Sequence, residues 1–361
     1  MIARESIPEF RRDGEYLIFN PGDFLRFLAV IGQADSVPTL KETVRSCLEI
    51  FMTANGKDHV PDGTFRVKKV VLERHLKQIS GALTMERAAY YIRRLEKYVT
   101  SVPSGPVDMK RWQDYDEIIT DSLWNLESRD RSEGHDAGYW GNFVPQIPRQ
   151  LMLRYTSPGD LVLEPFMGGG TTLLEAIKMN RNYIGVDLNP DLVDLARRKA
   201  SSILSDSRYF LECADSSQTD FCKLLEVNGF NHADLVILHP PYHDIIKFTE
   251  NPADLSRSPS VDDFLQSLFS IVSASERTLK RGGYLTMVIG DKYDSAQWIP
   301  LGFMVMQEIL KTGLILKSIV VKNFNRTKGK RGQEMLWRYR ALAGGFYVFK
   351  HEYIFIFRKR R

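Results

Sequence analysis

The chain is poor in cysteine, has no long apolar run and carries no large excess of either charge. Its 3 cysteines, Cys47, Cys213 and Cys222, stand far apart and none begins a C-x-x-C pair. That pattern argues against a disulfide framework and against a zinc site, so no metal is expected and a reducing compartment is. No apolar stretch approaches the roughly 18 residues that a membrane helix needs, which removes a membrane partner from the expectations. The opening residues, MIARESIPEFRRDGEY, carry charge where an export signal needs an apolar segment, so a cytoplasmic location is expected. Internal repeats and low-complexity tracts are also missing, which sets aside solenoid architectures.

What is present fits an ordinary folded protein. The 361 residues are 43% hydrophobic, 26% charged and 11% aromatic, room for two domains or for one with a large extension. The formal net charge is only +4, but the basic residues are unevenly spread. Lys322, Arg326, Lys328, Lys330, Arg331, Arg338 and Arg340 crowd one stretch, and the chain closes Arg358-Lys359-Arg360-Arg361. Such a run is ordinarily a solvated face, and contact with phosphate needs a second indication.

Two regions read differently. Residues 1–105 read as mostly helical: Val44, Cys47, Leu48 and Phe51 recur at helical spacing within 40–52, and further helices are expected over 70–79 and 85–99, with Thr84 as an N-cap. Ser101-Val-Pro-Ser-Gly-Pro106 is the linker candidate. Residues 106–361 form the second region, in which short apolar strands alternate with helices from about Ile147 onward. Strands are expected at 161–163, 183–186, 209–213, 235–238 and 284–289, with a closing pair at 314–321 and 353–357 that could add an antiparallel edge. Alternation of this kind predicts an α/β fold with a mostly parallel sheet and helices on both faces.

Glu164-Pro-Phe-Met-Gly-Gly-Gly-Thr-Thr172 falls between the first of these strands and a helix. Glycines such as Gly168 and Gly170 let backbone turn tightly and approach a ligand. A phosphate-binding P-loop needs a lysine where Thr171 and Thr172 follow Gly170, and a dinucleotide fingerprint needs a small residue where Leu173 stands, so neither fits. The next strand ends at Asp187, placed to accept from the two hydroxyls of a ribose. Its plain alternative is an acid at a helix start. Asp215, after the third strand, could accept from an adenine amino group, although acids after strands are common.

Taken together, the loop, Asp187 and Asp215 resemble the amino-methyltransferases of DNA, whose cofactor string is acid-Pro-Phe-x-Gly-x-Gly-Thr-Thr. Glu164 takes the acid position, more often aspartate in that family. The resemblance covers about 125–357 and implies S-adenosylmethionine as cofactor and a Rossmann-like class I methyltransferase fold. It further implies that Asn142, Phe143 and Phe166 line the cofactor pocket. Nothing recognisable covers the first hundred or so residues, which could read DNA, dimerise or cap the catalytic domain.

The second string is Leu235-Val-Ile-Leu-His-Pro-Pro-Tyr242, at the carboxyl end of an expected strand, where open parallel sheets bind ligands. Pro240 and Pro241 have no N–H to donate and restricted φ angles, so carbonyls can be held outward as acceptors. An exocyclic amino group is a poor nucleophile because its lone pair is delocalised. Acceptors aimed at its hydrogens favour a pyramidal nitrogen and stabilise the charge growing on it. Tyr242 would stack on a base flipped out of the helix. In the family the pattern begins with Asp, Asn or Ser, and that side chain and a proline carbonyl are the acceptors. Here His239 stands first; a neutral imidazole accepts one hydrogen bond and a protonated one accepts none, so activity is expected to fall as His239 takes up a proton. His243 and Asp244 could help grip the base or simply cap the loop.

The expected substrate is double-stranded DNA, methylated at adenine N6 ahead of cytosine N4, with Lys322, Arg326, Lys328, Lys330 and Arg331 as phosphate contacts in a connection that reads as a flexible hairpin. A cognate restriction endonuclease and a second copy of the chain are further candidate partners. Three rival readings stand beside this one. An RNA guanine-N2 methyltransferase usually carries an RNA-binding domain with aromatic platforms, and none is visible. A protein-glutamine methyltransferase would have Asn where His239 stands. A non-catalytic DNA-binding module keeping the fold has the His239 departure as its sequence support.

Overall fold

Three polar residues, Asn20, Ser36 and Thr84, start helices in the amino-terminal part of the chain by accepting from first-turn amides that lack a partner inside the helix. The computed structural model describes all residues except 1–6, 55, 57–64, 104, 127–143, 296, 324–331 and 361. It divides into two compact units, Met1–Glu117 and Ile118–Arg361.

The first unit contains β1 (Phe10–Asp13), β2 (Tyr16–Phe19), α1 (Pro21–Gly32), α2 (Val37–Thr53), β3 (Phe65–Lys68), α3 (Lys69–Ser80) and α4 (Met85–Val99). The expected helices are there, but so is a three-stranded antiparallel sheet in the order β1-β2-β3. Strands this short show too little alternation to stand out in a sequence. Its core is aromatic: Phe51 meets Phe19 and Phe27 edge-on at 5.4 and 5.6 Å.

This unit extends past the expected linker, and its boundary falls after Glu117, not after 105. Polar contacts explain why. The Tyr98 hydroxyl donates to Asp114 (2.6 Å), the Arg111 guanidinium lies over the Tyr98 ring (4.9 Å) and donates to the Arg66 carbonyl (2.6 Å), and Lys68 pairs with Asp116 (2.5 Å).

The second unit runs β4 (Leu123–Trp124), α5 (Gln146–Tyr155), β5 (Leu161–Glu164), α6 (Thr171–Lys178), β6 (Asn182–Asp187), α7 (Pro190–Ala200), β7 (Tyr209–Cys213), α8 (Phe221–Val227) and β8 (Ala233–Leu238). It continues with α9 (Val261–Thr278), β9 (Leu279–Ile289), the hairpin β10 (Lys292–Asp294) and β11 (Gln297–Ile299), α10 (Leu301–Leu310), β12 (Ile315–Asn323), α11 (Glu334–Gly344) and β13 (His351–Arg358). Its eight-stranded sheet has the order β4-β12-β13-β9-β8-β5-β6-β7. All pairings are parallel except those of β13, which is antiparallel to both β9 and β12. This is a Rossmann-like α/β arrangement, with the strand order reversing between β5 and β8.

Alternation along each strand sends side chains to opposite faces. Leu163, Val236, Leu238 and Phe355 join Phe264 of α9 in one core, while Val162, Leu235, Ile237 and Ile354 join Leu173 and Ala176 of α6 in the other. The central strands β5 and β8 are buried along their whole length, as expected where helices cover both faces.

Reversal of strand order beside β5 opens a crevice at the carboxyl ends of β5 and β8. β9 ends where β13 begins (Ile289 opposite Tyr353), and β12 ends opposite the start of β13 (Asn323 opposite His351). The 324–350 connection therefore leaves and rejoins the sheet at this same edge. Where that connection was expected to be a flexible hairpin, it contains the helix α11. Among the described residues, no helix is long and apolar enough to cross a membrane.

Candidate active site

The glycine loop is held from below. Gly168 and Gly170 have φ of +53° and +79°, left-handed values that favour glycine. A β-carbon on Gly170 would also lie 2.9 Å from that of Ala196 on α7, so this glycine lets α7 pack closely. Beneath the loop, Glu164 is fully buried and accepts from the Thr172 hydroxyl (2.8 Å) and from the Tyr183 hydroxyl. Burial pushes its carboxyl up to about 8. Thr171 and Thr172 are themselves buried. Glu164 and Thr172, both expected at the cofactor, face one another inside the fold.

Asp187 ends β6, next to the loop. Its Oδ2 accepts from the Gly168 amide (2.7 Å) and its Oδ1 from the Asn189 amide (2.9 Å). Burial raises its pKa. Asn189, not Asp187, caps α7. A carboxylate oxygen has room for more than one donor, so both oxygens can still accept.

On the neighbouring strand, Asp215 lies two positions beyond Cys213, which pairs with Asp187. Its Oδ1 accepts from the Ser217 amide (2.8 Å), and its Oδ2 makes no hydrogen bond among the described residues. Ser216 donates to the Pro165 carbonyl (2.6 Å), tying the two strand-end loops together. Phe166 is half-buried at the same edge. The structure thus gathers Phe166, Gly168, Asp187 and Asp215 at three adjacent strand ends. Asn142 and Phe143 lie outside the described residues.

At the tip of β8, one strand from β5, His239, Pro240, Pro241 and Tyr242 follow in turn. Burial lowers the His239 pKa to about 4, with the Lys322 charge adding to the fall and Glu352 opposing it. The imidazole is therefore neutral at physiological pH. Its Nε2 lies 3.3 Å from the Tyr242 hydroxyl, which donates to Glu352 Oε2 (2.8 Å); Glu352 Oε1 pairs with Lys322 Nζ (3.2 Å). The Tyr242 ring lies against Gly290, where a β-carbon would come within 3.0 Å of it.

Two expectations change here. Lys322, expected at phosphate, is 5% exposed and bound to Glu352. Its position on β12, pointing inward beside β13, outweighs its charge. Arg326, Lys328, Lys330 and Arg331 lie outside the described residues. His243 does not reach outward either: it is buried, with Nε2 3.0 Å from the Ser258 carbonyl and Nδ1 3.0 Å from Lys292 Nζ. Lys292 also pairs with Asp244. Sequence reasoning missed Glu352 and Lys292; a charged residue inside an otherwise apolar strand, as in His351-Glu-Tyr-Ile-Phe-Ile-Phe357, was the available signal.

Residues 70–198 match a family model described as DNA methylase, a stretch that includes the glycine loop and Asp187 and ends before His239. Type II methyltransferase M.XycI of Xanthomonas campestris pv. cyanopsidis is 39% identical over 75 residues, 21% of this chain and 24% of that protein. M.Cfr9I of Citrobacter freundii is 36% identical over 75 residues, again 21% and 24%. M.MjaII of Methanocaldococcus jannaschii is 42% identical over 52 residues, 14% of this chain and 10% of that protein. The chain thus spans less than a quarter of the length of these relatives.

Proposed function

We propose that this chain is a DNA amino-methyltransferase, like the relatives it matches in part, and transfers a methyl group from S-adenosylmethionine to an exocyclic amino nitrogen of a DNA base. The observation that carries the reading is one shared edge: the Asp187 end of the sheet and the His239-Pro-Pro-Tyr242 end lie on either side of β5. The chain's residues fit an adenosyl group. Asp187 keeps acceptor capacity on two oxygens already oriented by the Gly168 and Asn189 amides, and Asp215 has an oxygen left for an amino group. Phe166 and the left-handed Gly168 suit close approach of the cofactor.

When bound, the cofactor supplies a methyl carbon made electrophilic by its sulfonium. The remaining work belongs to the protein. A neutral His239 and the carbonyls of the two prolines accept from the amino hydrogens, concentrating the lone pair on nitrogen and stabilising the positive charge that grows there. The crevice would bring the amino nitrogen and the cofactor together, and positioning is most of what direct transfer requires. Tyr242 offers its ring face to a flipped base. Adenine and cytosine both present a primary amino group, so these acceptors serve either; adenine N6 is placed first because adenine enzymes are the more frequent in the family. The first unit, Met1–Glu117, is assigned to target reading, dimerisation or capping.

The test is mass spectrometry of nucleosides from DNA incubated with the protein and isotopically labelled S-adenosylmethionine. Labelled N6-methyladenine or N4-methylcytosine, absent with Tyr242→Ala, supports the reading and names the base. DNA left unlabelled by a chain that still binds cofactor would falsify it.

A further inference from the structure

The polar chain behind Tyr242 has a direction, and that direction follows from donor counting. Lys322 Nζ has only hydrogens to give, and it faces Glu352 Oε1 at 3.2 Å with both side chains 6% exposed. Facing a lysine that can only donate, the Glu352 carboxylate is an acceptor on both oxygens. Glu352 Oε2 then takes the single hydroxyl hydrogen of Tyr242, a residue 110 positions away in the chain (2.8 Å). With that hydrogen committed, the 3.3 Å contact between the Tyr242 oxygen and His239 Nε2 can be made only if the imidazole carries its hydrogen on Nε2.

We propose that Glu352, paired with Lys322, is a positioning residue for the methyl transfer: through Tyr242 it sets the His239 tautomer, with hydrogen on Nε2 and the lone pair on Nδ1. It thereby fixes the side from which the ring can accept a hydrogen bond. It also anchors the Tyr242 ring, which packs against Gly290. The inference rests on the methyltransferase reading for its consequence in rate, while the tautomer is argued from the contacts of Tyr242 with Glu352 and His239. It also gives the departure from the family pattern a physical basis. An aspartate or serine needs no tautomer control, whereas an imidazole accepts on one nitrogen only.

Glu352→Gln is a sharp probe because it reverses the chain at nearly constant shape. Lys322 would draw the amide oxygen, turning the amide NH₂ toward Tyr242. The tyrosine would then donate to His239 Nε2, and the ring hydrogen would move to Nδ1. The experiment has two readouts on the whole 361-residue chain. In ¹⁵N NMR of histidine-labelled protein, the His239 signals, identified by their loss in His239→Asn, are expected to show hydrogen on Nε2 in the natural chain and on Nδ1 in Glu352→Gln. In single-turnover methylation of DNA, Glu352→Gln is expected to lose about tenfold or more in rate with little change in KM, the cost of turning a donor toward a site that needs an acceptor.

Tyr242→Phe removes the relay but keeps the ring, so Glu352→Gln placed on top of it should cost nothing further. A purely structural Glu352–Lys322 pair would go on costing activity in that background, and this result overturns the proposal. Hydrogen on Nδ1 in the natural chain, or no change of tautomer in Glu352→Gln, overturns it as well. A tautomer that switches in a protein leaving DNA unlabelled supports the relay and removes only the choice of DNA as substrate. Should Glu352→Gln fail to fold, the natural chain and Tyr242→Phe still decide the matter. Loss of the hydroxyl should then change the His239 Nε2 signal without removing the ring.

Discussion

At the scale of single residues, burial decides what each titratable group can do. His239 is pushed down to about 4, so it is a neutral acceptor across the physiological range. The acid limb of a pH–rate profile due to His239 is therefore expected near pH 4, not near the 6.5 of a free imidazole. Single-turnover rates between pH 4 and 8, compared with His239→Asn, check this; a limb near 6.5 that vanishes in the variant would contradict it. The same shift affects stability. The unfolded chain takes up this proton below about 6.5 and the folded one only near 4, so stability declines as pH falls through that window. Buried His75, also lowered to about 4, adds to the decline.

Glu164 runs the other way. Its folded carboxyl keeps a proton up to about 8 that the unfolded chain releases near 4.5, so its contribution to stability is lost as pH rises between those values. Glu164→Gln keeps the shape without the titration. Urea unfolding of both proteins is expected to show the variant gaining on the natural chain as pH rises from 4.5 to 8; a constant difference would count against a raised carboxyl.

At the scale of elements, the loop between β5 and α6 depends on a few small groups. Gly170→Ala forces a left-handed β-carbon to 2.9 Å from Ala196 and is expected to destabilise the chain by roughly 1–3 kcal/mol. Ser216→Ala breaks the tie to the Pro165 carbonyl and should cost about 1 kcal/mol. It should also weaken binding of S-adenosylhomocysteine, measured by calorimetry, because Asp215 is the adjacent residue. Equal affinity in the natural chain and the variant would show that the tie does not hold the pocket.

The long elements were legible because period and length agree, as in α4, whose apolar stripe and Thr84 cap are both local. The short strands β1, β2 and β3, the hairpin β10–β11 and the helix α11 were not. No described residue of α11 is buried, so it lacks the apolar face that betrays a helix.

At the scale of the whole molecule, each unit has its own buried core, so a single unfolding free energy does not describe the chain. Calorimetry is expected to resolve two transitions, only one of them raised by S-adenosylhomocysteine, as mass action requires of a ligand held by one unit. A single transition shifted as a whole would mean that the two cores melt together. The sequence alone determined the alternating α/β order, the glycine loop with Asp187, and the His-Pro-Pro-Tyr string, because each is written in neighbouring residues. Only the tertiary structure decided that Glu164 lies under the loop, that Lys322 is a buried partner of Glu352, and that this pair reaches His239 through Tyr242. Those contacts join β8, β12 and β13, which are distant in the chain and adjacent only once the sheet has formed. No local pattern of residues can state which charged side chain will end inside it.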